Sequence, residues 1–118
     1  MLKYKYQLTE TEGTILNDRL KNQAMDDLFE AILCLETMEE CYNFFDDLCT
    51  VLELKSISQR FQVAKLLNEK HVYSKIVDTT GASTATISRV KRSLDYGSDG
   101  YRIVFERMNR KSEEDNNE

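Results

Sequence analysis

The chain has 118 residues, 16 Lys/Arg against 21 Asp/Glu and one histidine, for a formal net charge of -5. That length fits one domain with a real core and is too short for two. No apolar run approaches the roughly 20 residues that cross a bilayer, and MLKYKYQLTETEG at the N-terminus lacks the apolar stretch of a secretory signal, so no membrane role is expected and the cytoplasm is the expected location.

There is no proline and there are only four glycines, a composition that favours an all-α protein. Cys34, Cys41 and Cys49 are spaced seven and eight apart, which is helical spacing; they read as reduced core residues. With His71 as the only histidine, the chain lacks the ligand spacing of a zinc site, and no metal is expected. The net charge also conceals a division. Residues 1–59 carry 5 Lys/Arg against 12 Asp/Glu, net -7; residues 60–111 carry 11 against 5, net +6; residues 112–118 carry four acids and no base. A basic segment on an acidic chain is the footprint of a polyanion binder.

In chain order, residues 1–12 show no period and read as a flexible arm, followed by a single all-helical domain over 13–111. From Leu20, the residues Ala24, Leu28, Ala31, Ile32 and Leu35 recur at helical steps. Thr37 and Glu40 form a capping-box pattern opening a second helix, with Tyr42, Phe45, Leu48, Cys49 and Leu52 on one apolar stripe predicted to face the core. Ser56 and Gln59 repeat that pattern, which predicts a third helix carrying Ile57, Phe61, Ala64 and Leu67, widened by Val63 and Leu66. After the connector Asn68-Glu69-Lys70, a short helix runs from Tyr73 to Thr80 and Gly81 stops it. The next starts near Ser83 or Thr84 and runs to about Leu94, with Ile87, Val90 and Leu94 inward. A glycine-rich turn framed by Tyr96 and Tyr101 leads to a last helix over about 101–111 carrying Ile103, Val104 and Met108. SEEDNNE at 112–118 has no apolar residue and reads as a disordered acidic tail.

A short helix, a glycine at a sharp turn and a second amphipathic helix spell a helix-turn-helix over about 73–94, with Ile76, Thr80, Ala82, Ile87 and Val90 inward. Opposite Ile87 and Val90 the second helix carries Ala85, Ser88, Arg89 and Arg92, flanked by Thr84 and Lys91 and free of carboxylates. Small and hydroxylated residues at its start permit close approach to base edges, the arginines can pair with guanine or phosphate, and free N–H groups from Ser83 to Thr86 can take a phosphate. Ser83, Thr84, Ala85, Thr86, Ser88, Arg89, Lys91 and Arg92 are therefore the candidate DNA-binding residues, and duplex DNA the expected partner. The plainer reading stands beside it: a solvated basic face and ordinary Ser/Thr capping are common.

The words QRFQVAKLL at 59–67, TGASTATISRVKRSL at 80–94 and YG…GY at 96–101 resemble the tryptophan repressor superfamily, and most closely its repressor-like branch named after YerC and YecD. The resemblance covers Ser56 to Tyr101. It implies a transcriptional repressor built as an intertwined homodimer, whose dimerisation helices span about 14–69 and whose two heads read a palindromic operator. It places family DNA-facing residues on Thr84, Ala85, Thr86, Ser88 and Arg89, while a family arginine and lysine are replaced by Ser74 and Val77, so the tryptophan operator is not expected. It also implies an effector pocket at Arg60, Arg89, Val90 and Ser93. Val90 replaces a family glycine and fills space an indole needs, so tryptophan is not expected to bind, and no corepressor is identified.

The chain carries no nucleophile elbow, zinc-protease motif or phosphate loop, and no enzyme is expected. The competing reading is a helical protein–protein interaction module whose basic helix docks an acidic surface. Single-stranded RNA is disfavoured because the basic face lacks aromatic stacking residues.

Overall fold

The computed structural model describes residues 20–117, and among them every regular element is a helix: α1 (Gln23–Leu33), α2 (Met38–Leu48), α3 (Val51–Asn68), α4 (Tyr73–Thr80), α5 (Thr84–Tyr96) and α6 (Gly100–Asn116). None is long and apolar enough to cross a membrane among the described residues. The expected arm over residues 1–12 lies outside the described residues. The chain divides between Leu48 and Cys49 into two compact units.

In the first unit, Asn22 caps α1 by accepting the Met25 N–H at 2.8 Å, and the Thr37 hydroxyl accepts the Glu40 N–H at 3.1 Å at the start of α2. Glu40 reaches back to the Glu36 N–H, one residue before the cap. Neither helix contains a buried residue. Tyr42 is 73% exposed, Leu48 and Cys34 are exposed, and Phe45 and Cys41 are only half-buried, so the expectation that this stripe and its cysteines lie in the core is corrected. Helical periodicity tells which side chains share a face and not what lies against it.

The second unit holds the core. α3 packs on α4 and α5, and α4 packs on α5. Val63, Ala64, Ile76, Ala82, Ile87, Val90 and Phe105 are buried, with Phe61, Leu66, Leu67, Val77, Leu94 and Tyr101 packed against them. The helix boundaries before this core differ from expectation. A single helix from Val51 replaces the expected break near Ser56, because Thr50 and Glu53 close both bonds of a capping box: the Thr50 hydroxyl accepts the Glu53 N–H at 3.1 Å and the Glu53 carboxylate accepts the Thr50 N–H at 2.8 Å. Ser56 and Gln59 therefore lie inside α3, where the backbone ladder already satisfies the donors a cap would serve. Leu52 moves from the second helix to α3 and is 78% exposed, and Ile57, expected inward, is 52% exposed.

Phe105 anchors the last helix. Its ring lies 5.5 Å from that of Phe61 and stacks on Tyr101 one turn back, with 6.0 Å between centroids. Ile103, Val104 and Met108 are instead partly exposed. α6 continues to Asn116, so most of the acidic segment expected to be disordered is helical; the Asn117 N–H closes the ladder on the carbonyls of Glu113 and Glu114 at 3.2 Å. Lack of apolar residues denies that segment burial, but it contains no helix breaker, and the turn propagates from residues already fixed by Phe105.

Three outcomes follow from these caps and turns. Thr50→Ala should cost about 1 kcal/mol in a urea titration. The Thr50 backbone N–H, and then its hydroxyl, hold the Glu53 carboxyl below its ordinary value of 4.5, so its stabilising contribution is full above that value and lost as pH falls through the depressed one; Glu53→Gln should remove that part of the acid dependence. Gly81 has φ 72°, and a Cβ added there would meet nothing within 4 Å. The cost of Gly81→Ala is thus backbone strain alone, about 1–2 kcal/mol, and Gly81→Asn should cost less. Equal losses for Ala and Asn would contradict that assignment.

Candidate nucleic-acid interface

The helix-turn-helix is assembled around a left-handed glycine. α4 ends when Gly81 at φ 72° turns the chain, with its N–H on the Val77 carbonyl at 2.8 Å. Thr80 secures the corner: its hydroxyl donates to the Ile76 carbonyl at 2.7 Å and accepts the Ala82 N–H at 3.1 Å. Ala82 then drops into the core at 3% exposure, and α5 begins two residues later. The boundaries of α4 match the sequence expectation, and α5 runs two residues beyond Leu94 to Tyr96. There Gly97 ends it by turning to extended backbone at ψ -150°, where a Cβ would collide with the Ser93 carbonyl.

With 3.6 residues per turn, burial of Ile87 and Val90 at 0% and 3% fixes the rotation of α5. Thr84, Ala85, Ser88, Arg89 and Arg92 all emerge exposed. Among the described residues, neither Arg89 nor Arg92 has an ion-pair or hydrogen-bond partner, so both guanidinium groups are available to an incoming anion.

The other three candidates stand differently. The Ser83 hydroxyl caps α5, accepting the Thr86 N–H and donating to the Thr86 hydroxyl, both at 3.1 Å. Ser83 and Thr86 therefore shape the helix start, and the N–H groups of Thr84 and Ala85 are left outside the helical ladder, pointing along the axis where an anion is favoured. Lys91 is exposed, but its ammonium is held by the Asp95 carboxylate at 2.9 Å. That hydrogen bond, and then the attraction of the Asp95 charge, raise the lysine above its ordinary value of 10.5. Its charge is fixed but already partnered.

The four residues expected around an effector meet in one place. Arg60, Arg89, Val90 and Ser93 line a cleft of about 340 Å³ between α3 and α5, together with Phe61 and Tyr101. Val90 is 3% exposed, so its side chain belongs to the core beneath the cleft and fills space at its floor. Arg89 borders both this cleft and the outward face of α5. Ser74 and Val77 lie on α4, the first exposed and the second packed against the core.

Phe105 and Gln59 were not singled out for the parts they play. The i, i+4 aromatic pair Tyr101–Phe105 was a signal for the first. For the second there was none, since its partner lies 21 residues away.

Three comparisons bear on this geometry. The family model for Trp repressor protein matches residues 23–109. The uncharacterized protein YerC of Bacillus subtilis (strain 168) is 54% identical over 91 residues, covering 77% of this chain and 88% of YerC. The crystal structure of a TrpR-like protein from Eubacterium eligens superposes with a TM-score of 0.76 at 58% identity, covering 79% of this chain and 96% of that one. The turn, the outward basic face and these matches agree, and the chain belongs to the Trp repressor family, whose members are DNA-binding transcription regulators and not enzymes, within its TrpR-like branch that includes YerC.

Proposed function

We propose that this protein is a sequence-specific transcriptional repressor that reads the major groove of a palindromic operator as a homodimer. The observation that carries the reading is the outward face of α5. Unpartnered Arg89 and Arg92 share it with the small side chains of Thr84, Ala85 and Ser88, and the buried side of the same helix prevents it from turning away. Arginine forks match guanine edges and phosphates, and residues as small as Ala85 and Ser88 let the helix approach bases closely. Ser83 and Thr86 support the interface as caps, and Lys91, shared with Asp95, contributes charge at its flank.

The homodimer rests on uncovered apolar surface. Leu33, Met38, Tyr42 and Leu52 are each more than 70% exposed, and side chains of this size in water are the mark of an interface between chains. A second copy of the chain is the occupant in this reading. Two-fold related heads then meet successive turns of the groove, about 34 Å apart, which calls for a palindromic site.

The cleft at Arg60, Arg89, Val90 and Ser93 is the place for an effector, but Val90 closes the floor an indole ring would need. Titration with free tryptophan in a calorimeter should give no stoichiometric heat; one equivalent of binding per chain would refute this part of the reading.

Selection from random duplexes should recover a two-fold motif. Arg89→Ala should then weaken binding to that motif by about 1–3 kcal/mol, and Thr84→Ala should change the preferred bases. A protein–protein interaction module would recover no motif, and neither substitution would matter to its DNA binding. Loss of affinity with rising salt does not separate the two readings, because both use the same cations.

A further inference from the structure

The end of α4 leaves carbonyl groups without helical partners, as every helix C-terminus does. The Val77 carbonyl takes the Gly81 N–H, and the Ile76 carbonyl, one residue earlier, takes the Thr80 hydroxyl. The carbonyl of Thr80 itself, the last residue of α4, takes the side-chain amide of Gln59 on α3, at 3.1 Å and partly buried. Within residues 49–117 this is the one side-chain hydrogen bond that spans more than four residues. It joins the middle of α3 to the corner of the helix-turn-helix, three residues ahead of the cap of α5.

The rest of the attachment is apolar. Val63 and Ala64 of α3 meet Ile76, Ala82, Ile87 and Val90 through packing alone. Apolar contact holds surfaces together but is non-directional, whereas a hydrogen bond weakens steeply once its angle or length departs from a narrow range. The Gln59 amide is therefore the contact that discriminates one angle between α3 and the reading unit from its near neighbours. It lies beside an open groove bordered by Ser58, Gln62 and Thr79, so water can replace it if it is lost, and the unit stays folded on its apolar core.

The helix that carries Gln59 also carries the exposed apolar Val51, Leu52 and Ile57. In the homodimer proposed above, α3 is part of what the second copy covers, and a change in its angle to α5 becomes a change in the separation of the two heads. We propose that Gln59 is a positioning residue for DNA reading, which sets the half-site spacing the dimer accepts without touching DNA. This rests on the reading of α5 as the DNA-contacting helix.

The test uses the full chain and operators recovered by selection, together with versions whose half-sites are moved together or apart by one base pair. Gln59→Met keeps the length of the side chain and removes the donor; Gln59→Glu presents an acceptor to the Thr80 carbonyl. Both should remain helical dimers and lose about tenfold in affinity for the preferred spacing, roughly one hydrogen bond's worth of positioning. They should lose discrimination among the three spacings, with affinity for unrelated duplex and its salt dependence unchanged. Wild-type affinity and spacing preference in both variants would overturn the proposal, as would an equal loss on all duplexes accompanied by a lowered melting temperature. Side-chain amide exchange in the unaltered protein provides the second measurement: Gln59 should exchange more slowly than the exposed Gln62, and equal rates would overturn the proposal even if the variants failed to fold. If the wild type shows no sequence preference at all, the reading of α5 fails first, and that outcome is distinct from a wild type that selects a motif and variants that read it unchanged.

Discussion

Burial of Ile87 and Val90 against Val63, Ala64 and Ile76 is the constraint on which the interface depends. A helix has one rotation, and once two side chains a turn apart are removed from water the opposite side chains must face it. Removing a side chain of this size from water is worth about 1.5–3 kcal/mol, more than any exposed ion pair could return by turning the helix over. Arg89 and Arg92 face solvent because their neighbours cannot, and the one carboxylate of α5, Asp95, is held by Lys91 instead.

The hydroxylated residues in front of those arginines divide their labour. Ser83 and Thr86 serve the backbone, which starts α5 at a defined residue and leaves the next N–H groups free. Thr84, Ala85 and Ser88 make no such bond and stay available. Gly81 adds a turn that few other residues can adopt without strain, and Thr80 closes the corner with two hydrogen bonds from one hydroxyl. The basic surface is thus a rigid start of a helix rather than a mobile charged loop, which is what base reading requires.

The helix-turn-helix was legible in the sequence because its signals are local: Gly81 for the turn, Ser83 for the cap, and Ile76, Ala82, Ile87 and Val90 for the buried side. The four proposed effector residues, carried by the resemblance, do meet in one cleft. Local signals misled where two competed. Thr50-Glu53 and Ser56-Gln59 both spell a capping box, and only the geometry of the chain entering α3 decides between them. The exposure of Tyr42, Leu52 and Ile57 could not be read either, since periodicity tells which residues share a face and not what lies against it. The helix through Ser112–Asn116 was missed because composition predicts burial, whereas continuation of a helix depends on the turn before it. The Ser56-Gln59 spacing points to a cap, and nothing local points to Thr80, the partner of Gln59, which is close in space and remote in sequence.

The most direct measurement is a nuclear magnetic resonance titration of the nitrogen-labelled protein with a duplex carrying its selected motif. The account requires the largest changes at the backbone amides of Thr84 to Arg89 and at the guanidinium signals of Arg89 and Arg92, with the buried methyl groups of Ile87 and Val90 keeping their packing. Changes confined to α1 and α2, with α5 undisturbed, would contradict it.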